Sequence, residues 1–322
     1  MRALVTGATG FLGGHVVEHL LERGAEVRCL VRRGSDLSVL PAAATLVEGD
    51  LEDAAALDLA VEGADVVIHS GALTRKLRQR REDLFRVNEG GTASLLDACA
   101  RRPRPPRFVF VSTLASVGPG DGRDPIDETS PCRPLNDYGD SKRAAELVVL
   151  AARDRVPATI VRLPGVFGRR DPNLLPLFRL VARGLRPVGS RTVTFVHVLD
   201  AAEALALTAE RPEAEGEVFH AAADDLSIGE MGRAIASALG TRTLPLPMPS
   251  GLVFAAARIA EASARWRGVP VRLDRQKARD LTATWRVSSE KIRTRLGWRP
   301  TRTFEEGMRE SLAWYRERGL LA

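Results

Sequence analysis

The opening of this chain limits it more than any other part. An apolar run, Ala3-Leu4-Val5, leads into Thr6-Gly7-Ala8-Thr9-Gly10-Phe11-Leu12-Gly13-Gly14, and an amphipathic stretch follows at once. Glycine lets a backbone turn tightly and lie close against a pyrophosphate. The helix start behind it offers unpaired amides and the positive end of a dipole to an anion. Gly7, Gly10 and Gly13 have the spacing G-x-x-G-x-x-G rather than G-x-G-x-x-G. A glycine triplet alone carries little information; placed at the first strand-to-helix turn of an alternating chain, it points to a dinucleotide.

The alternation continues. The pattern predicts strands over residues 2–6, 27–31, 45–48, 65–69, 108–112 and 158–162, with helices over 11–23 and 84–100. Strands that alternate with helices pair in parallel, so the expected fold class is α/β, a Rossmann-type doubly wound parallel sheet. Ligands then bind at the carboxyl ends of the strands. After Gly168 the pattern changes, with Pro172, Pro176 and Pro187 as punctuation. A helix over 174–183, a strand over 193–198, a helix over 200–210 and a strand over 217–220 are expected. The remainder reads as mostly helical, with a break at Pro245, Pro247 and Pro249. Residues 1–168 are thus the expected dinucleotide domain and 169–322 a smaller, mostly helical C-terminal substrate lobe, with 190–225 returning to the sheet.

Each strand end offers something to a dinucleotide. Gly7, Thr9, Gly10, Phe11, Leu12 and Gly13 form the phosphate loop. The second strand ends in Arg32-Arg33, with no acid to bind ribose hydroxyls. An arginine fork accommodates an extra phosphate, which favours NADP over NAD. Asp50, followed by Leu51, can accept from an adenine amino group; equally, it can cap the helix that starts near Asp53. Ser70, Gly71 and Ala72 supply small residues after the fourth strand, where the chain passes close to the cofactor.

Tyr138 is one of only two tyrosines, and Lys142 follows it by one helical turn. A phenol is a poor base near neutrality. An ammonium beside it, plus a positive nicotinamide ring, favours the phenolate. Such a tyrosine can give a proton to a carbonyl oxygen, or take one from an alcohol, while hydride moves at carbon. The fifth strand ends in Ser112-Thr113. Thr113 is the first choice, and Ser112 the second, for a hydroxyl that holds the substrate oxygen.

Composition removes competing classes. The 322 residues suffice for a large core. The net charge of +6 comes from 43 Arg and four Lys (Lys76, Lys142, Lys277 and Lys291) scattered along the chain, and aromatic residues are 5%. Without a basic stripe interleaved with aromatics, no nucleic-acid partner is expected. Cys29, Cys99 and Cys132 make neither zinc spacing nor a disulfide framework. His15 and His19 share a helix face without an accompanying Glu, so no metal is expected. No apolar run reaches the roughly 18 residues of a membrane span. The first strand leaves no room for a targeting segment, so a cytoplasmic setting is expected.

These residues resemble the extended short-chain dehydrogenase/reductase family, also called the NAD-dependent epimerase/dehydratase family. The carriers are TGATGFLG from Thr6, GDL from Gly49, VNEGGT from Val87, FVFVST from Phe108 and YGDSK from Tyr138. RLPGVFG from Arg162, FVHVLDAAEA from Phe195 and LGWRPTRTFEEGM from Leu296 extend the likeness over nearly the whole chain. The resemblance implies a Rossmann domain, a Thr113-Tyr138-Lys142 triad, of which Tyr138 and Lys142 also bind the cofactor, and a C-terminal substrate lobe. It also implies that Pro164 and Val166 lie against the nicotinamide and that Asn88 helps hold the active site. In the family's dehydratases Asp-Glu follows the catalytic Thr; here Leu114-Ala115 does, so elimination chemistry is not expected. Val117 replaces a tyrosine common in sugar-nucleotide members.

Leu244-Pro245-Leu246-Pro247 leads into an amphipathic helix over 251–266, with Arg258, Glu261 and Arg265 on one face. This resembles the 3β-hydroxysteroid dehydrogenase-like and dihydroflavonol reductase-like branches, where the part covers an apolar substrate or touches membrane. Packing on the protein's own core or on a second subunit, as in a homodimer, is the alternative. The first functional expectation is an NAD(P)-dependent oxidoreductase acting on the ketone or secondary alcohol of a sterol- or lipid-like small molecule. The second is a nucleotide-sugar 4-epimerase, with Arg169, Arg170 or Arg191 receiving a diphosphate. The third is a non-catalytic dinucleotide-binding protein, against which the Tyr138–Lys142 pair speaks.

Overall fold

The computed structural model describes residues 1–322 except 75–79, 123, 190, 268–273 and 322, and the side chains of Asp224, Arg265 and Trp266 are likewise outside it. Lys76 and the expected place of Arg265 on its helix face therefore lie outside the described residues. The chain opens with β1 (Arg2–Thr6), α1 (Phe11–Glu22), β2 (Glu26–Val31), β3 (Thr45–Glu48), α2 (Ala54–Val61) and β4 (Val66–His69). Helix α3 (Arg81–Phe85) runs through one π turn, Arg86–Gly90, into α4 (Gly91–Ala100). The strand β5 (Arg107–Thr113), the helix α5 (Asp137–Ala151) and the strand β6 (Ala158–Leu163) follow.

Beyond them come β7 (Gly165–Phe167), α6 (Leu175–Ala182), β8 (Leu185–Val188), β9 (Thr192–His197), α7 (Val198–Glu210) and β10 (Val218–His220). The chain continues through β11 (Asp224–Ser227), α8 (Ile228–Leu239), β12 (Leu244–Pro247), α9 (Ser250–Arg267), α10 (Arg275–Thr282), α11 (Glu290–Leu296) and α12 (Phe304–Glu317).

Seven strands pair in the order β10-β6-β5-β4-β1-β2-β3, all parallel. Strands such as Val66–His69 are buried throughout, because helices cover both faces of the sheet. Val16, Val17 and Leu20 of α1 and Ala201 and Leu205 of α7 cover one face. Leu57 of α2, Leu95 of α4, and Ala145 and Val149 of α5 cover the other. The chain winds outward from β1 to β3 and returns to β4 on the opposite side of β1. The crevice between β1 and β4 is therefore where a doubly wound sheet binds its ligand.

The C-terminal part packs around Phe167, Phe178, Ile235, Met308 and Tyr315. Asp200 holds the loop between α11 and α12 in place: the carboxylate accepts from the backbone amides of Thr301 and Arg302 and from Arg302 Nη1, and its carbonyl accepts from Trp298 Nε1. Two expectations need correction. Of the stretch 190–225 only the strand β10 joins the seven-stranded sheet, whereas β9 pairs with β7 and β11 in a separate three-stranded sheet. Leu244–Pro247 is not a break but a strand, β12, parallel to β8 in a two-stranded sheet. Prolines at alternate positions lack amides, yet an edge strand bonds along one side only and tolerates them there.

Candidate active site

At the β1–α1 turn Gly7 has φ +70°, and a Cβ there would lie 2.6 Å from Gly71 N. A Cβ on Gly13 would come within 2.1 Å of the Gly7 carbonyl oxygen. Bare glycines thus let the loop, the first turn of α1 and the tail of β4 meet backbone to backbone. Gly10 caps α1 without a side-chain bond, so the first amides of the helix are open to a ligand. The cradle fits a dinucleotide phosphate. Thr9, Phe11 and Leu12 share this turn and are half-buried. Arg32, at the end of β2, is exposed, and among the described residues nothing pairs with its guanidinium. Asp50 is exposed and accepts from Glu52 N at 2.8 Å; Asp53, not Asp50, caps α2. Leu51 is buried under Gly91, where an added Cβ would touch its side chain.

A buried polar chain, not foreseen from the sequence, crosses beneath this loop. Gly71 N donates to Thr6 Oγ1, which lies 2.6 Å from His69 Nδ1; His69 Nε2 lies 3.0 Å from Thr92 Oγ1. Thr92 spends its proton on the Asn88 carbonyl oxygen, so it accepts from His69. His69 is therefore the neutral Nε2–H form, and burial pushes its pKa down to about 3. Asn88 sits on the π turn. It accepts from Leu73 N and donates to Leu73 O and to Ser141 Oγ on α5. The loop after β4, with Ser70, Gly71 and Ala72 half-buried, is thus clipped to the helix that bears Tyr138.

Asn136 caps α5. Gly139 brings its first turn so close to the sheet that a Cβ would lie 2.2 Å from the Ala115 carbonyl oxygen. The half-buried Tyr138 and the turn after Thr113 are thereby neighbours. Thr113 is half-buried and accepts from Ala115 N, which leaves its own proton to donate. Strand alternation turns Ser112 to the other side, where its Oγ lies 2.6 Å from Glu146 Oε1. The structure thus separates the two hydroxyls: Ser112 is committed to Glu146, and Thr113 keeps its proton free of that network.

Lys142 is buried, with Nζ donating to the Val111 carbonyl oxygen at 2.9 Å and lying 3.9 Å from the centroid of the Phe110 ring. Burial draws its ammonium down to about 7, against the pull of Glu146. Burial also pushes the Tyr138 phenol up to about 12. The expectation that the neighbouring ammonium makes the phenol acidic is corrected for the protein alone, because desolvation sets the direction of the shift. The phenol is held in its protonated form at neutral pH.

One turn beyond Lys142 lies a second unforeseen feature. Glu146 is fully buried and accepts from Ser112, Ser116 and Arg162 Nε through one oxygen, and from Arg143 and Arg162 Nη2 through the other. These bonds hold its carboxyl down to about 2 despite burial. The network ties α5 to the ends of β5 and β6. A charged residue ending the apolar run of β6 was its only signal in the sequence. Past β6, Pro164 and Val166 are half-buried. Among the arginines considered for a diphosphate, Arg170 is committed to a two-bond fork onto Glu18, Arg191 donates to Ser250 Oγ, and Arg169 is exposed.

On the tail helix α9, Glu261 is half-buried and accepts from Arg275, while Arg258 is exposed. Its apolar side is divided: Val253 and Ala257 pack on Ala278 of α10, but Leu252 and Ile259 are 64% and 70% exposed.

Comparison with known proteins gives the family of the chain. The model of the NAD dependent epimerase/dehydratase family matches residues 3–222. Ceramide reductase of Caulobacter vibrioides is 32% identical over 332 residues, covering 98% of this chain and 95% of the relative. Sterol demethylase protein B of Methylococcus capsulatus is 32% identical over 332 residues, covering 100% of each. The crystal structure of Thermus thermophilus UDP-glucose 4-epimerase in complex with NAD is 27% identical, with a TM-score of 0.77, covering 98% of this chain and 99% of that one. No helix among the described residues is long and apolar enough to cross a membrane.

Proposed function

The chain belongs to the NAD dependent epimerase/dehydratase family, as an NAD(P)-dependent enzyme of the extended short-chain type, and on that premise we propose that it interconverts a ketone and a secondary alcohol on an apolar, sterol- or lipid-like small molecule. The observation that supports the reading is the close seating of Gly139 on Ala115, which brings the first turn of α5, where Tyr138 stands, against the turn that follows Thr113. Two relatives similar over nearly the whole chain, a ceramide reductase and sterol demethylase protein B, support the lipid-like substrate.

A nicotinamide dinucleotide, when bound, supplies or accepts the hydride. The backbone of Gly7, Thr9, Gly10, Phe11, Leu12 and Gly13 would hold its phosphates, with Asp50 and Leu51 on the adenine side. Ser70, Gly71 and Ala72 would border it across the crevice, and Pro164 and Val166 would flank the ring. In reduction, Thr113 Oγ1 donates a hydrogen bond to the carbonyl oxygen and fixes its direction. Tyr138 gives up its phenolic proton to that oxygen as carbon accepts the hydride. The ammonium of Lys142 favours the phenolate left behind. The reverse order oxidises the alcohol. Helices α6, α8, α9 and α10 act as the substrate lobe.

Arg32 supports NADP as the preferred cofactor. Arg32→Ser is expected to lower the preference for NADPH over NADH by about tenfold, the worth of one charge-assisted phosphate contact. Initial rates with both cofactors measure it, and an unchanged ratio would remove Arg32 from the site. The epimerase reading loses support from Arg170, which Glu18 already occupies. A panel of long-chain ketones, ketosteroids and nucleotide sugars separates the readings. Net loss of NADPH with an apolar ketone is expected. Interconversion of a nucleotide hexose without net loss would overturn the proposal.

A further inference from the structure

Helix α10 of the C-terminal part reaches the helix that bears Tyr138 through one side chain. Asp280 accepts from Asn136 Nδ2, with both carboxylate oxygens at 3.0 Å. Asn136 is 8% exposed and caps α5, its Oδ1 accepting from Gly139 N at 2.9 Å. An amide has one accepting end and one donating end, whereas a carboxylate only accepts. Asp280 therefore decides which way the Asn136 amide faces. Reversed, the amide would set its NH2 against the Gly139 N–H, donor to donor, and the cap would fail.

Asp280 is itself fixed. Trp285 Nε1 donates to its carbonyl oxygen at 3.2 Å, and the backbone of Trp285 bonds to Thr192 and Thr194 of β9. Ala278, two residues back on α10, packs on Val253 and Ala257 of α9. One carboxylate thus joins the α9–α10 pair to the cap two residues before Tyr138.

We infer that Asp280 is a positioning residue: it orients the Asn136 amide and so sets the first turn of α5, and the placement of Tyr138, in step with the seating of α10. This rests on the reading of Tyr138 as the proton donor. Asp280 touches neither substrate nor dinucleotide in this account, so its effect belongs in kcat and not in cofactor affinity.

The experiment uses the full chain, an apolar ketone from the panel, and NADPH. Asp280→Leu is expected to lower kcat by about tenfold or more, as small misplacements of a catalytic group do, while the dissociation constant for NADPH stays within about twofold. Asn136→Asp keeps a capping oxygen but sets two carboxylates face to face, and is expected to be at least as damaging. Adding Asp280→Asn to it restores an amide-carboxylate pair with the roles exchanged and is expected to bring kcat back to within about threefold of the parent. Full activity in Asp280→Leu, or a double variant no better than Asn136→Asp alone, would overturn the inference. Tyr138→Phe is measured alongside. If it keeps turnover, the proton-donor reading falls and takes this inference with it; if it is inactive while Asp280→Leu is fully active, this inference alone falls.

Discussion

Tyr138→Phe is expected to abolish most turnover, by about 10²–10⁴-fold, while leaving dinucleotide binding intact. Phenylalanine keeps the ring and removes only the group that carries the proton. The phosphate cradle is formed at the β1–α1 turn by the closely packed backbones of Gly7, Gly13 and Gly71, and Tyr138 is not among the residues that build it. Because burial keeps the phenol protonated up to about pH 12, the side chain is ready to act as an acid at neutral pH. The reduction should therefore run without an alkaline requirement, whereas oxidation needs the phenolate and should gain rate as pH rises. Steady-state rates in both directions and a titration of cofactor fluorescence check these points. Undiminished reduction by Tyr138→Phe would reject the assignment.

Glu146→Ala is expected to cost about 3–5 kcal/mol of stability, because it leaves the buried Arg162 guanidinium without its counter-ion and removes the carboxylate that Ser112 and Ser116 also donate to. The same carboxylate makes the fold acid-sensitive. Its folded pKa of about 2 lies below its ordinary value of 4.5, so its contribution is complete above about 4.5 and is lost as pH falls toward 2. The buried imidazoles act in the same direction. His69 and His220 are pushed down to about 3 and His15 to about 4, while an unfolded histidine protonates near 6.5. Stability should fall as pH drops below about 6.5 and fall faster below about 4.5. Urea midpoints between pH 7 and 4 read this directly; a midpoint that does not move would contradict it.

The parts legible in the sequence were those built from near neighbours. The glycine loop and the strands at Val66–His69 and Arg107–Thr113 announce themselves through local pattern, since parallel strands buried on both faces are unbroken apolar runs. Tyr138 and Lys142 stand one turn apart on a single helix. The His69 chain was invisible because Thr6 and His69 are 63 residues apart and meet only when β4 returns beside β1. β12 was hidden for a similar reason: its partner β8 lies far back in the chain, and prolines argue locally against a strand. The phenol's pKa was misjudged because spacing reveals the ammonium one turn on but not the water that folding removes. The choice between Ser112 and Thr113 needed the register of β5 against Glu146 on α5.

The central claim is that hydride passes to an apolar ketone as Tyr138 delivers a proton. Its most direct test is mass spectrometry of the alcohol formed from a ketosteroid or long-chain ketone with NADPH deuterated at the transferable position of the ring. One deuterium on the carbinol carbon, matched by loss of NADPH and nearly absent with Tyr138→Phe, is the expected result. No deuterium in any product of the panel, or equal transfer by Tyr138→Phe, would contradict the account.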